Sequence, residues 1–513
     1  MNVKSIEFES HKLDDIPPLA WLLNESGQAG VPELFHGAGV AVFHNWFFEG
    51  CFDGNVSQDA ILASSNVFGS GMVNGRGNRH FITPSHNFEG LYVLQGDSFF
   101  SVSNSLSFLI EYHRLNVPFD FNYGARFASA VFGIKEYVSE LFSFHIGKLS
   151  RIIFTNFCIN TRQQIDCLSK PEPPSFRNFN QYTEYLQATL RRMFANGQDA
   201  SRQQKYSPIA TLSSGYDSPA VAAIARKLGC RQALTLREAR GGVSDCGKEI
   251  GDHLGIEVLE FDRKRVGEAS AEEIAEFLAP GFGGEDYNLK CFEPLLAGRI
   301  LLTGLHGDIV WDVDAKASGV LARGDCGGMS LQEFRLRGNF VHVPVPMIGA
   351  TNDADLLTIT RSEEMKPYRL HNDYDRPIPR RIVEEAGVPR HAFGQRKAAA
   401  SAVLFLDDFI PSEMLSEQTK EMLRSFARSI PNGGMFRLIY GFRRRVWLKR
   451  MQYYYRYVHR RNSLYRWLAN VIISEYRTFE HNNPLCGVLS IAGIEMTRRR
   501  YRPIHEISLR DVM

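Results

Sequence analysis

The sequence lacks the marks of several function classes. Its eight cysteines (Cys51, Cys158, Cys167, Cys230, Cys246, Cys291, Cys326 and Cys486) never fall in a CxxC pair. That scatter argues against a zinc site or a dithiol redox pair; the plain reading is free thiols in a reducing cytoplasm. No run of about 18 apolar residues occurs, so no membrane span is expected. The opening "MNVKSIEFESHKLDD" is acidic and polar, unlike an export signal. Net charge is only +2, so no whole-protein field points to nucleic acid. Internal repeats and long low-complexity tracts are missing too. What remains is 513 residues, 44% hydrophobic and 23% charged. That is the composition of a soluble globular chain with room for about two to four domains.

One long stretch lacks a single charge sign. From Pro431 to Ser474 there is no Asp or Glu, and "FRRRVWLKRMQYYYRYVHRRNSLYRW" interleaves arginines with aromatics. Such a segment suits an anionic surface, phosphates or nucleic acid. The alternative is a helix whose arginines lie over aromatic packing and pair with acids elsewhere.

Three regions follow from pattern. Residues 1–170 are rich in Phe, Asn, Gly and Ser with short apolar runs. "GLYVLQGDSFFSVSNSLSFLI" (Gly90–Ile110) reads as strand, Gly-Asp turn, strand and the start of a helix, so this half is expected to be α+β. "SKPEPPSFRNFN" (Ser169–Asn180), with three prolines, reads as a linker. Residues 180–410 change rhythm. "YTEYLQATLRRMFANG" has helical spacing, "PIATL" is a strand and "DSPAVAAIARKLG" a helix closed by Gly229. "ALTL" (strand), "DCGKEIGDHLG" (helix), "IEVLEF" (strand), "AEEIAEFLA" (helix) and "RILLTG" (strand) continue the alternation. The expected fold is α/β, a doubly wound, mostly parallel sheet whose ligands sit at the carboxyl ends of the strands. Residues 411–513 read as a basic, mainly helical extension.

At one strand end stands "ATLSSGYDSPAVAAIA". Ser213, Ser214, Gly215, Tyr216, Asp217 and Ser218 leave a strand and open a helix. Free N–H groups at a helix start make an anion site, small residues let a phosphate approach, and hydroxyls add donors. Asp217 would repel a bare phosphate, so its use is to hold Mg²⁺ bound to that phosphate. The stretch has no GxxxxGK[ST] lysine and is not a Walker A loop.

The stretch resembles the SGGxDS pyrophosphate loop of the ATP-pyrophosphatase superfamily, in its asparagine synthetase-like form, with Ser214 replacing the first glycine. "LLTGLHGDIVW" (Leu301–Trp311) is similar to that family's GEGxDE segment. "VPRHAFGQRKAAAS" (Val388–Ser401) is similar to the segment whose lysine contacts pyrophosphate, and "YDRPIPRRIVEEAGVPR" before it matches more loosely. The resemblance implies an adenine nucleotide alpha hydrolase-like domain that takes ATP and Mg²⁺. Asp217 and Asp308 would be metal ligands, Lys397 with Arg396 beside it would face pyrophosphate, and Leu236 would contact adenine through the backbone. The implied reaction is adenylation of a substrate carboxylate followed by amide formation with an amine.

Two departures qualify the resemblance. The GEGxDE glutamate position is Leu305, with His306 adjacent, so His306 is the candidate base. The family's glutamine-dependent members begin with a catalytic cysteine, whereas this chain begins Met1-Asn2-Val3. Residues 1–170 are therefore expected to be a glutaminase-like sandwich remnant, as in β-lactam synthetases and lasso-peptide cyclases. An RNA-modifying ATP pyrophosphatase and a non-catalytic nucleotide-binding scaffold are the alternatives.

Overall fold

The computed structural model describes residues 8–27, 31–75, 78–119, 123–160, 162–280, 285–323, 325–372, 374–396, 398, 401, 415–429, 442, 445 and 484–506. Its strands form three sheets of seven, six and five. The first two belong to the N-terminal half. They are antiparallel apart from one parallel pair, Glu9–Lys12 beside Glu33–His36. The expected hairpin is present, as strands Gly90–Gln95 and Phe99–Ser103 followed by helix Leu106–Tyr112. Ser105 caps that helix through Phe108 N–H. Cys51 lies inside strand Trp46–Phe52, fully buried. Burial pushes its thiol up to about 11, which is the opposite of a nucleophile's environment.

The five-stranded sheet is wholly parallel. Its strands are Ser207–Thr211, Gln232–Leu236, Glu257–Phe261, Arg299–Thr303 and Val341–Pro344. In space they run third, second, first, fourth, fifth. Helices fill the connections, so the inner strands are apolar and covered on both faces. The order reverses between the first and fourth strands, and that crevice is where such sheets take ligands. The fifth strand was not expected: "VHVP" is four residues long and ends at a proline. The helix expected from Asp245 starts only at Lys248.

Ser169–Asn180 is not a free linker. Lys170 is buried and donates to Thr83 O and Asn156 Oδ1, each at 2.7 Å. Asp355 accepts from Ser175 Oγ and Phe176 N–H. Helix Phe179–Gly197 has already begun, capped by Asn178. The C-terminal helix Pro484–Thr497 is followed by Arg498, which pairs with Glu111, and Tyr501, whose hydroxyl donates to Glu333. The Arg-aromatic segment lies outside the described residues, apart from Phe442 and Arg445. Among the described residues no helix is long and apolar enough to cross a membrane.

One apolar core runs continuously through both halves. At their junction Arg335, on helix Gln332–Gly338, is buried between Glu49 and Glu89. Its Nη1 and Nη2 reach Glu49 at 2.7 and 3.0 Å, and its Nε reaches both Glu89 oxygens at 2.9 Å. Burial opposes the guanidinium charge, but the two carboxylates hold its pKa above the ordinary value. Removing one partner from such a cluster leaves an uncompensated buried charge. Arg335→Met is expected to lower unfolding free energy by about 3–5 kcal/mol in a denaturant titration. A loss under about 1 kcal/mol would show that the junction does not depend on this cluster.

Candidate functional site

The loops leaving the first and fourth strands meet. Helix Asp217–Lys227 starts directly after the Ser213–Tyr216 loop, and the short helix Gly307–Val310 starts directly after Gly304–His306. The second loop packs flat on Asp217. A Cβ on Gly304 would stand 2.6 Å from the Asp217 carbonyl carbon, and one on Gly307 would stand 2.6 Å from its carboxyl carbon. No L side chain fits at either position without moving the aspartate. Two motifs far apart in sequence are thus locked together by the absence of side chains.

The first loop is pinned from three sides. Asp245 accepts from Ser214 N–H at 3.1 Å and Ser214 Oγ at 2.8 Å. Burial raises the Asp245 pKa, while the Ser214 hydrogen bonds and the Arg396 charge oppose the rise. Gly394 N–H donates to Ser214 O at 2.8 Å. Tyr216 points away from the loop's open side into the core, where its hydroxyl accepts from Arg380 and its ring packs on Phe393. Ser213 and Ser218 hydroxyls bond each other at 2.8 Å.

These residues line a cavity of about 470 Å³ at the carboxyl ends of the strands, a volume within the usual range for small-molecule sites. Ser213, Gly215, Tyr216, Asp217, Ser218, Leu236, His306 and Asp308 all line it; Ser214 stands behind them on Asp245. At the end of the second strand the wall is apolar, with Leu234, Leu236, Leu289 and Phe292.

Arg376 was missed from sequence. It precedes helix Pro377–Glu385, is 3% exposed, lines the cavity and pairs with Asp217. Its Nε lies 3.5 Å from Asp312. Burial works against its charge, yet Asp217 and Asp308 hold its pKa above the ordinary value. The signal was present in "DYDRPIPRR", an arginine directly before a helix-opening proline. Asp245, the last residue of "ALTLREARGGVSD", was missed as the loop's anchor.

Other expected residues stand differently. Lys397 lies outside the described residues. Arg396 is exposed, donates to Ser244 O at 3.0 Å and is not part of the cavity lining. His306 is buried in a left-handed conformation (φ 77°). Its Nδ1 lies 3.2 Å from Arg323 Nη1. A guanidinium only donates, so Nδ1 accepts and the ring proton sits on Nε2. Burial first, then the Arg323 charge, holds His306 well below the ordinary histidine pKa. In this geometry the other edge of the ring is a donor. Among the described residues no cluster of three or more His, Cys, Asp or Glu is placed for a metal. Asp217 and Asp308 are two carboxylates with Arg376 acting on both, which suits a cation completed by phosphate oxygens.

His86, His306 and His342 are all buried with lowered pKa values, His342 at about 3. In each, burial is the largest cause. The unfolded chain binds protons on these rings near pH 6.5 and the folded chain does not, so stability rises with pH across that window. The stability these neutral rings hold above about pH 6.5 is lost as pH falls below it. The melting temperature is expected to drop between pH 7 and pH 5, with a shallower slope in His342→Gln. An identical slope in that variant would show that His342 does not titrate on unfolding.

No family model matches the chain, and no curated protein does. Among solved structures, the chain is similar to one described as a predicted subunit of tRNA methyltransferase from Methanocaldococcus jannaschii. The two are 21% identical, over 37% of this chain and 94% of the other, at a TM-score of 0.19. At that score the likeness decides neither fold nor function here.

Proposed function

We propose that the chain is an ATP-dependent, AMP-forming carbon–nitrogen ligase. The carrying observation is the convergence of Asp217, Asp308 and Arg376, from three separate segments, on one cavity at the switch point of a parallel sheet. The helix start at Asp217 and the hydroxyls of Ser213 and Ser218 supply donors for phosphate oxygens. Arg376 supplies a fixed positive charge for a leaving pyrophosphate. Asp217 and Asp308 would hold Mg²⁺. The apolar wall around Leu236 would take the adenine.

In the reaction, a substrate carboxylate oxygen attacks the α-phosphorus of ATP and the bond to the β-phosphate oxygen breaks. Pyrophosphate leaves and an acyl-adenylate forms. An amine nitrogen then attacks the acyl carbon, AMP leaves and the amine loses a proton. The protein's part is alignment, charge and exclusion of water. The amine would come free or from the substrate rather than from glutamine.

The test is the fate of ATP with Mg²⁺ and candidate carboxylates and amines, read by resolving the nucleotide products. AMP and pyrophosphate are expected, with rates lowered about 100-fold or more in Asp217→Asn and in Arg376→Met. ADP and phosphate as products would overturn the assignment.

A further inference from the structure

Two residues before Arg376 stands Tyr374, whose N–H donates to the side-chain oxygen of Asn372, Oδ1, at 2.9 Å. Its ring packs on Tyr216 with centroids 4.6 Å apart, and the Arg376 guanidinium lies 5.0 Å from the ring centroid. The side chain lines the same cavity. Its hydroxyl stands 3.3 Å from the point a Cβ on Gly215 would occupy, and Ser213 Oγ stands 3.5 Å from that point. Two hydroxyls therefore flank the small volume over Gly215. Among the described residues no partner takes the Tyr374 hydroxyl proton. Burial, then the charge of Asp217, pushes the phenol pKa up, so the group stays a donor at neutral pH.

We propose that Tyr374 is a phosphate-binding residue: its hydroxyl donates across Gly215 to the pyrophosphate end of the bound nucleotide. The inference rests on the nucleotide reading of this cavity. Arg376 contributes charge from the same segment and Tyr374 contributes direction, so the segment closes the open side of the Ser213–Ser218 loop. Gly215 is then needed for room, because a side chain there would fill the gap that the phosphate oxygen enters. A donor above the loop favours ligands with two linked phosphates over a nucleoside monophosphate, whose phosphate stays with the adenosine. Phenylalanine keeps the ring contacts with Tyr216 and Arg376 and removes only the donor.

The experiment is calorimetric titration of the full chain and of Tyr374→Phe with three probes: ATP with Mg²⁺, inorganic pyrophosphate with Mg²⁺, and AMP. One hydrogen bond to a charged oxygen corresponds to a loss of about ten- to a hundredfold in affinity. That loss is expected for ATP and for pyrophosphate, with AMP affinity and melting temperature unchanged. If the unchanged chain binds ATP and pyrophosphate and the variant binds them equally well, the role of Tyr374 is overturned while the nucleotide site stands. An equal loss for AMP would overturn the pyrophosphate-end placement. If the unchanged chain binds none of the three, the nucleotide reading itself fails, and this inference with it. A variant with a lowered melting temperature would be replaced by Tyr374→Met, which fills similar space without a donor and is expected to show the same selective loss; an unselective loss would overturn the proposal.

Discussion

The site depends on how tightly the Gly304–Gly307 loop is pressed against Asp217. With Cβ positions 2.6 Å from its backbone and carboxyl carbons, those glycines bring Asp308 to the cavity that Asp217 already lines. Two carboxylates lining one site repel each other and call for a counter-charge. Arg376 supplies it, with a guanidinium that cannot lose its proton. The helix behind it is keyed to the loop at a second point. Arg380, one turn on, reaches the hydroxyl of Tyr216, the residue next to Asp217. Arg376 stands just ahead of this helix and Arg380 in its first turn, so one short stretch of chain fixes two consecutive residues, Tyr216 and Asp217. The loop's shape, its charge and the position of its neighbour thus come from one set of contacts.

The N-terminal half reaches this site through side chains rather than through a nucleophile. Arg335 joins the halves by its two glutamates, and Gln332 on the same helix donates to Gly90 O and Asn104 O. Nearer the cavity, Phe88 lies under the Arg323 guanidinium at 4.6 Å, and Arg323 N–H donates to Val131 O. The same guanidinium bonds Gly327 O, Asp325 and His306. A desolvated guanidinium on an aromatic face is held in orientation as well as in place. His306 therefore takes its ring direction from a residue of the N-terminal half, two contacts away. The N-terminal half thus forms part of the wall behind the site.

Much of the parallel-sheet domain was legible because its signals are local. Strand, loop and helix around Ser213–Ser218 follow from an apolar run, small residues and an alanine-rich helix, and Gly229 and Gly255 end helices where left-handed backbone is required. The convergence of Asp217 and Asp308 was legible only because both stand at strand ends, which a parallel sheet collects on one edge. Arg376 and Tyr374 carry no such local mark. An arginine and a tyrosine in a polar segment have many uses, and their place over the loop is set by a helix–helix contact that spacing does not encode. Asp245 was hidden for a related reason. It reads as the start of a helix, whereas the chain spends it on Ser214 and starts the helix three residues later. Arg335, Glu49 and Glu89 come from three distant places, and each alone looks like an ordinary surface charge.

The shift of one place in the GLHGD segment has a chemical consequence. Leu305 lines the cavity and packs on the core, so the position brings no proton chemistry. His306 turns into a left-handed conformation that costs a non-glycine residue energy and persists only where its surroundings hold it. Here the holding contact is Arg323, and it uses the one ring nitrogen that could have accepted a proton. A neutral imidazole presenting Nε2–H can hydrogen-bond a carbonyl or carboxylate oxygen, and it cannot take a proton from an amine. On the ligase reading, the amine's proton must then go to something other than this loop. The other titratable groups facing the cavity near Arg323 are Glu285, Asp286 and Asp325. Asp286 is already committed, accepting from Gly328 N–H, Ser330 N–H and Ser330 Oγ. Asp325 is committed as well, accepting from Arg323 Nη2 and Gly327 N–H. The loop's contribution is then position and hydrogen-bond donation, in keeping with a site whose power lies in fixed charge.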